Sequence, residues 1–194
     1  MPPCGHGVQF YRDDDQLVRL LARYVGSALI GGDVALVVAR RRHRTALDRR
    51  LAARGLDVAV ARREGRYITA DAQKMIDAFL VDGRVDAAAA RGAVLELLNR
   101  AAAASDGDGG PAQVFAFGEM VSLLVEQGGP DQAIRLEEVW NSLLASHNFT
   151  LCCGYRMADF SARHAAPFVR ICAMHSHVFH APDVRHAVAA SRVT

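Results

Sequence analysis

The sequence predicts an α/β fold, a mostly parallel sheet with helices on both faces. Three observations predict it. Short apolar runs alternate with longer segments of helical period along the chain, the pattern that builds βαβ units. The run from Val34 to Ala39 contains no polar residue, as expected of a strand covered on both faces. The run Phe115-Ala116-Phe117 stops abruptly in Gly118-Glu119, which delivers a carboxylate to the rim of a sheet, where such proteins keep their ligands.

The elements follow in order. Val8 to Tyr11 is a short strand ending in Arg12-Asp13-Asp14-Asp15, a good N-cap and first-turn composition. The helix that follows places Leu17, Leu20, Leu21, Tyr24, Val25 and Ala28 on a core-facing stripe and stops at Gly31-Gly32. After the Val34 strand, Thr45 to Arg54 returns to helix and ends at Gly55, and Val58 to Ala61 is expected as a strand. Gly65 to Ile68 is a connector or short strand, and Asp71 to Phe79 a helix capped by Thr69 or Asp71. A long helical pattern covers Val85 to Ala104, and Ser105 to Pro111 is a loop by composition. Gln113 to Phe117 is the next buried strand, followed by a helix from Glu119 to Gln127 that Gly128-Gly129-Pro130 ends. From Asp131 a further helix carries the stripe Ala133, Leu136, Trp140, Leu143, Leu144. Phe149 to Tyr155 is a strand and Ala165 to His175 a last helix. Residues 1–180 are expected to form one domain, with a poorly ordered tail over 181–194, where the pattern fades.

A chain of 194 residues buries a substantial core as one domain. No run of eighteen apolar residues exists, and the N-terminus lacks the basic and apolar regions of a signal peptide, so a cytoplasmic protein with no membrane contact is expected. A net charge of +2 is too small to imply nucleic-acid binding. Cys152 and Cys153 are neighbours on a strand and would face opposite sides; with Cys4 and Cys172 they are expected as thiols, not a disulfide framework.

The first strand-to-helix turn, Tyr11 to Asp15, has neither the glycines nor the Gly-Lys-Ser/Thr of a phosphate loop, and its three carboxylates would repel a triphosphate. No nucleophile elbow, Ser-His-Asp order or paired-acid spacing occurs, so no catalytic residue is assigned and no cofactor is called for. Strand exits present Tyr11, the basic run Arg40 to Arg44, Glu119 and Tyr155, a mixture suited to a small-molecule pocket. Arg44 is expected to pair with a ligand carboxylate or a rim acid, and Glu119 to act as a base, a ligand-reading acid or a helix N-terminal charge. Glu137 and Asn141 share a helix face beside Trp140; alternatively Trp140 is core with Glu137 and Glu138 in solvent. Cys172, His175 and His177, with His180, are weak metal-ligand candidates because a second separated ligand pair is missing.

His6-Gly7-Val8-Gln9-Phe10-Tyr11, Gly32 to Val37, Gly65-Arg66-Tyr67 with Asp71-Ala72, Phe117 to Val121, Leu136 to Asn141, Phe149 to Tyr155, and Ile171-Cys172 with His175 to Val178 together resemble the MEDS domain, the methanogen/methylotroph DcmR sensory domain, over His6 to Val178. The resemblance implies a RecA/KaiC-like three-layer architecture without a functional P-loop, with Tyr11 to Asp15 where that loop would stand and Glu119 near the Walker B position. It implies a sensor of small molecules such as hydrocarbon derivatives. The namesake regulators carry a DNA-binding helix-turn-helix ahead of the sensory domain, whereas here the domain begins by His6, so direct DNA binding is not expected. The signal is expected to pass to a signalling partner protein or through self-association.

The expected function is therefore a non-catalytic sensory domain binding a small organic molecule at the strand rim through Tyr11, Arg44, Tyr67, Glu119, Asn141, Tyr155 and His175. The alternatives are a vestigial module that binds a nucleotide through Arg40 to Arg44 without hydrolysis, and an interaction scaffold whose rim is filled by its own side chains.

Overall fold

The computed structural model describes residues 5–105, 112–160 and 164–179. Within them a six-stranded parallel sheet forms the middle layer. Its strands are β1 (His6–Tyr11), β2 (Val34–Ala39), β3 (Tyr67–Asp71), β6 (Val114–Gly118), β7 (Thr150–Arg156) and β8 (His177–Phe179), in the spatial order β3-β2-β6-β7-β1-β8. The strands β4 (Leu80–Val81) and β5 (Arg84–Val85) form a separate antiparallel hairpin.

Helices α1 (Asp14–Ile30), α2 (Arg41–Ala52) and α3 (Val58–Arg63) cover one face, closing a core around Leu17, Leu47, Val37 and Phe117. The other face carries α4 (Ala72–Phe79), α5 (Ala87–Ser105), α6 (Met120–Glu126), α7 (Pro130–Leu144) and α8 (Ala165–Ala173), packed over Leu36, Ala116, Trp140 and Tyr155. All of β2 is buried, as the unbroken apolar run requires. On β7 the side-chain alternation sends Cys152 to the α1 face and Cys153 to the α7 face, as expected of neighbours on a strand. Cys153 and Cys172 are thiols, whereas Cys4 and the expected loop over 106–111 and tail from 181 lie outside the described residues.

Three expectations need correcting. Val58 to Ala61 is helical because Asp57 caps the segment, its carboxylate accepting from the Val60 amide at 2.9 Å; the local cap overrides the β-branched composition. Helix α2 starts at Arg41, not Thr45. A basic first turn opposes the helix dipole, and here Asp14, Glu119 and Asp71 neutralise it. Finally β8 and the β4–β5 hairpin, too short to carry a period, are additional strands.

Glycines at 7 and 154 let aromatic rings lie flat on the α1 face of the sheet. A Cβ at Gly154 would come within 2.6 Å of the Phe117 ring, and one at Gly7 within 2.7 Å of the Phe179 ring. Because the ring has strand on one side and helix on the other, Gly154→Ala is expected to destabilise the fold by about 1–3 kcal/mol through overpacking. Urea denaturation checks this: the midpoint should fall with an unchanged slope.

Candidate functional site

The connections leaving β2 and β6 run to opposite faces of the sheet, and the crevice between their carboxyl ends is where an open α/β sheet binds ligands. In this chain the crevice holds side chains. Glu119, with no solvent exposure, receives the Arg40 Nε–H at Oε1 (2.7 Å) and the Arg40 backbone N–H at Oε2 (3.0 Å). The His43 Nδ1 lies 2.9 Å from Oε2, and the Tyr11 hydroxyl approaches Oε1 at 3.5 Å. The network continues outward, from Arg40 to Glu126 at 2.5 Å and from His43 Nε2 to Asp14 at 3.2 Å. The imidazole of His43 thus bridges two carboxylates, one on α1 and one at the end of β6. Burial, then the charge of Glu119, push the Tyr11 phenol well up, so it stays a neutral donor.

Arg44 points elsewhere on the rim. Its guanidinium donates to Asp71 at 2.5 Å and to the Ala39 carbonyl at 3.0 Å, pairing with a rim acid as one of the two expectations had it. Tyr67 donates to Asp48 of α2 at 3.1 Å, and the Arg62 guanidinium stacks 5.0 Å over its ring.

The remaining expected residues gather on the other side of the sheet. Tyr155 donates to Glu137 Oε1 at 2.7 Å, and His175 Nε2 stands 3.4 Å from the same oxygen without hydrogen-bond alignment. Asn141 Oδ1 accepts from His6 Nδ1 at 2.9 Å, while His6 Nε2 lies 3.2 Å from Glu137 Oε2. Cys153 Sγ is 3.4 Å from both Glu137 Oε2 and His6 Nε2. Glu137 has no exposure, which rules out the arrangement with Glu137 in solvent; Trp140 is core and Glu138 exposed. Burial alone would raise Glu137, but the imidazoles of His175 and His6 beside it hold its carboxyl well below the usual carboxylate range. His175 is lowered by burial yet raised overall by Glu137. Cys153 and Tyr155 are both pushed well up, first by burial and then by the Glu137 charge.

The seven residues expected at one pocket are thus divided. Tyr11 and Glu119 meet at the rim, Arg44 and Tyr67 serve separate ion pairs, and Asn141, Tyr155 and His175 surround Glu137. Cys172 is half-buried and His177 exposed; neither joins the histidine cluster, and His180 lies outside the described residues. The residues not singled out for the site are Arg40 and His43 at the rim and His6, Glu137 and Cys153 inside. A signal existed for Glu137, which is four residues after Ala133 and three before Trp140, on the apolar stripe itself.

A cavity of about 430 Å³ opens on the α1 face. Leu17, Leu20, Leu21 and Tyr24 of α1 form one wall, Phe117 and Cys152 the floor, and Phe179 of β8 the far side. Gln9, Arg23 and Asp33 supply polar groups.

Acid should loosen the rim. Arg40 holds Glu126 below the usual carboxylate range; Asp14 and Asp71 are raised by burial but lowered overall, Asp14 first by His43 and Asp71 by the Lys74 backbone amide and Arg44. A carboxylate depressed in the folded state contributes stability above its unfolded pKa, near 4. That contribution is lost as pH falls below this value, so chemical denaturation midpoints should drop between about pH 4 and pH 2.

Comparison with known families places residues 5–177 under the family model of MEDS, the MEthanogen/methylotroph, DcmR Sensory domain. No curated protein matches the chain. The match spans most of the sequence, and the chain belongs to this family.

Proposed function

We propose that this MEDS-family chain, whose family is one of sensory domains, is a non-catalytic sensor that takes a small apolar organic molecule into the groove between α1 and the sheet. The observation supporting this is the groove itself. Its volume of about 430 Å³ falls within the range of small-molecule sites, with leucine and aromatic walls and a few polar groups to orient a guest. The rim crevice is a weaker candidate because both Glu119 oxygens are already engaged. A nucleotide on the basic run is disfavoured likewise: Arg40, Arg42 and Arg44 each face a carboxylate of the chain.

The route for the signal starts at α1. Its first residue, Asp14, touches His43, which touches Glu119, so a guest that shifts α1 strains the rim network directly. A rearranged rim then changes the surface offered to a partner protein or to a second copy.

The test is thermal unfolding of the full chain with benzene, cyclohexane and hexanol as probes. A probe at ten times its Kd stabilises by about 1.4 kcal/mol, which raises Tm by roughly 3–6 °C. Leu20→Trp, filling the groove from the half-buried side of α1, should leave the free protein's Tm near that of wild type and abolish the shift. No shift with any probe removes the reading, and a shift that survives Leu20→Trp puts the guest elsewhere.

A further inference from the structure

We propose that His6, Glu137, Cys153 and His175 form a metal centre that holds one tetrahedral transition-metal ion, zinc(II) being the best chemical match. One donor atom from each lies within 4.8 Å of the others, and all four side chains are buried. The spacing fits an ion. A tetrahedron with metal–ligand bonds of about 2.0–2.3 Å has edges of roughly 3.3–3.8 Å. His6 Nε2, Glu137 Oε2 and Cys153 Sγ match one face of it, standing 3.2–3.4 Å apart, while His175 Nε2 lies 3.4 Å from the other Glu137 oxygen and within the 4.8 Å span of the cluster.

The supporting hydrogen bonds aim the donors inward. His175 Nδ1 faces the Ile171 carbonyl at 2.7 Å, and a carbonyl only accepts, so Nδ1 carries a proton and the neutral ring directs its Nε2 lone pair into the cluster. Asn141 donates through Nδ2 to the Met174 carbonyl at 3.4 Å, which turns its Oδ1 to His6 Nδ1 and fixes the same tautomer there. Tyr155 restrains Glu137 from behind. Metal-binding histidines are held this way by second partners. His175 Nε2 is otherwise a buried nitrogen with no hydrogen-bond partner, aimed into the cluster.

Charge decides between an ion and protons. Without an ion, protonating His175 alone makes a neutral pair with Glu137 but leaves the His6 Nε2 lone pair 3.2 Å from an acceptor-only oxygen, and protonating both rings buries two cations against one anion. With M²⁺, the Cys153 thiol releases its proton to solvent as the metal–sulfur bond forms, and the dication is balanced by one thiolate and one carboxylate. A neutral buried assembly costs far less to desolvate than a charged one. The mixed nitrogen, sulfur and oxygen donor set with tetrahedral spacing favours zinc over hard cations. Four protein ligands and no open position make this a structural or sensing centre, one that staples β1, β7, α7 and the end of α8. β8, which walls the groove with Phe179, begins two residues after His175.

The experiment is reconstitution of the chelator-stripped, reduced full chain with zinc(II) and, separately, cobalt(II). Expected are one zinc per chain by elemental analysis, a higher Tm than the stripped protein, and for cobalt both tetrahedral visible bands and a near-ultraviolet thiolate-to-metal band. Cys153→Ser should remove the thiolate band, and His175→Ala should lose stoichiometric metal, each checked for native circular dichroism. His177→Ala, outside the cluster, should bind as wild type. Should either cluster variant fail to fold, the wild-type titration and its cobalt spectrum decide. A folded wild type that takes up no stoichiometric metal, or a thiolate band that persists in Cys153→Ser, overturns the proposal.

Discussion

Glu119→Ala is expected to lower folding stability by about 3–5 kcal/mol, the usual penalty for removing one member of a buried ion pair. The carboxylate has no exposure and engages Arg40 through side chain and backbone, His43 and Tyr11. Truncation leaves the guanidinium and imidazole donors facing an apolar methyl in a place that water reaches poorly. Glu119→Gln keeps the shape but turns an amide N–H₂ toward a donor, so about 1–3 kcal/mol is expected. Adding Arg40→Met to Glu119→Ala should cost less than the two single changes summed, because it removes the orphaned charge. Guanidinium denaturation of the four proteins closes the cycle. A Glu119→Ala midpoint within about 1 kcal/mol of wild type would mean that the rim network does not hold β2 and β6 together.

Much of the fold was legible because its elements are long or apolar enough to carry a period. β2 and α1 were readable from composition and stripe alone, and the alternation of elements implied the parallel sheet that is present. α3 was misread because Val58 and Val60 look like strand residues while the Asp57 cap, a single side-chain contact, sets the conformation. The site was less legible because its members are far apart in sequence. Glu119 stood out at a strand end, but its partners Arg40 and His43 lay in a basic run that also fits a solvated helix face. His6, Glu137, Cys153 and His175 come from two strands, a helix and the turn after α8, with no motif spacing, and only the register of β1 against β7 brings His6 and Cys153 together.

β7 connects the groove to the buried cluster. Cys153 and Tyr155 point to Glu137, whereas Cys152 and Gly154 face the α1 side, where Cys152 lines the groove and Gly154 carries the Phe117 ring. The two sites are therefore separated by the thickness of one strand. The sensor reading thus has a short candidate path through β7, and coupling along it requires that a guest in the groove shift this strand.

Glu137→Ala is the second change expected to cost about 3–5 kcal/mol, measured on chelator-treated protein so that the hydrogen-bonded cluster alone is read. Its carboxylate serves Tyr155 at 2.7 Å and stands beside His6, Cys153 and His175 with no solvent to replace it. His175 and His6 hold the carboxyl ionised in spite of its burial, so truncation removes an anion on which the surrounding donors depend. Tyr155→Phe deletes only the hydroxyl and should cost about 1–3 kcal/mol, the penalty of an unmet buried acceptor. Once Glu137 is gone the Tyr155 hydroxyl has no acceptor there, so the second substitution should cost little. The coupling energy of the pair is then about 0.5–3 kcal/mol. Strictly additive losses would show that Tyr155 and Glu137 stabilise the fold independently, and that the phenol does not hold the carboxylate in place.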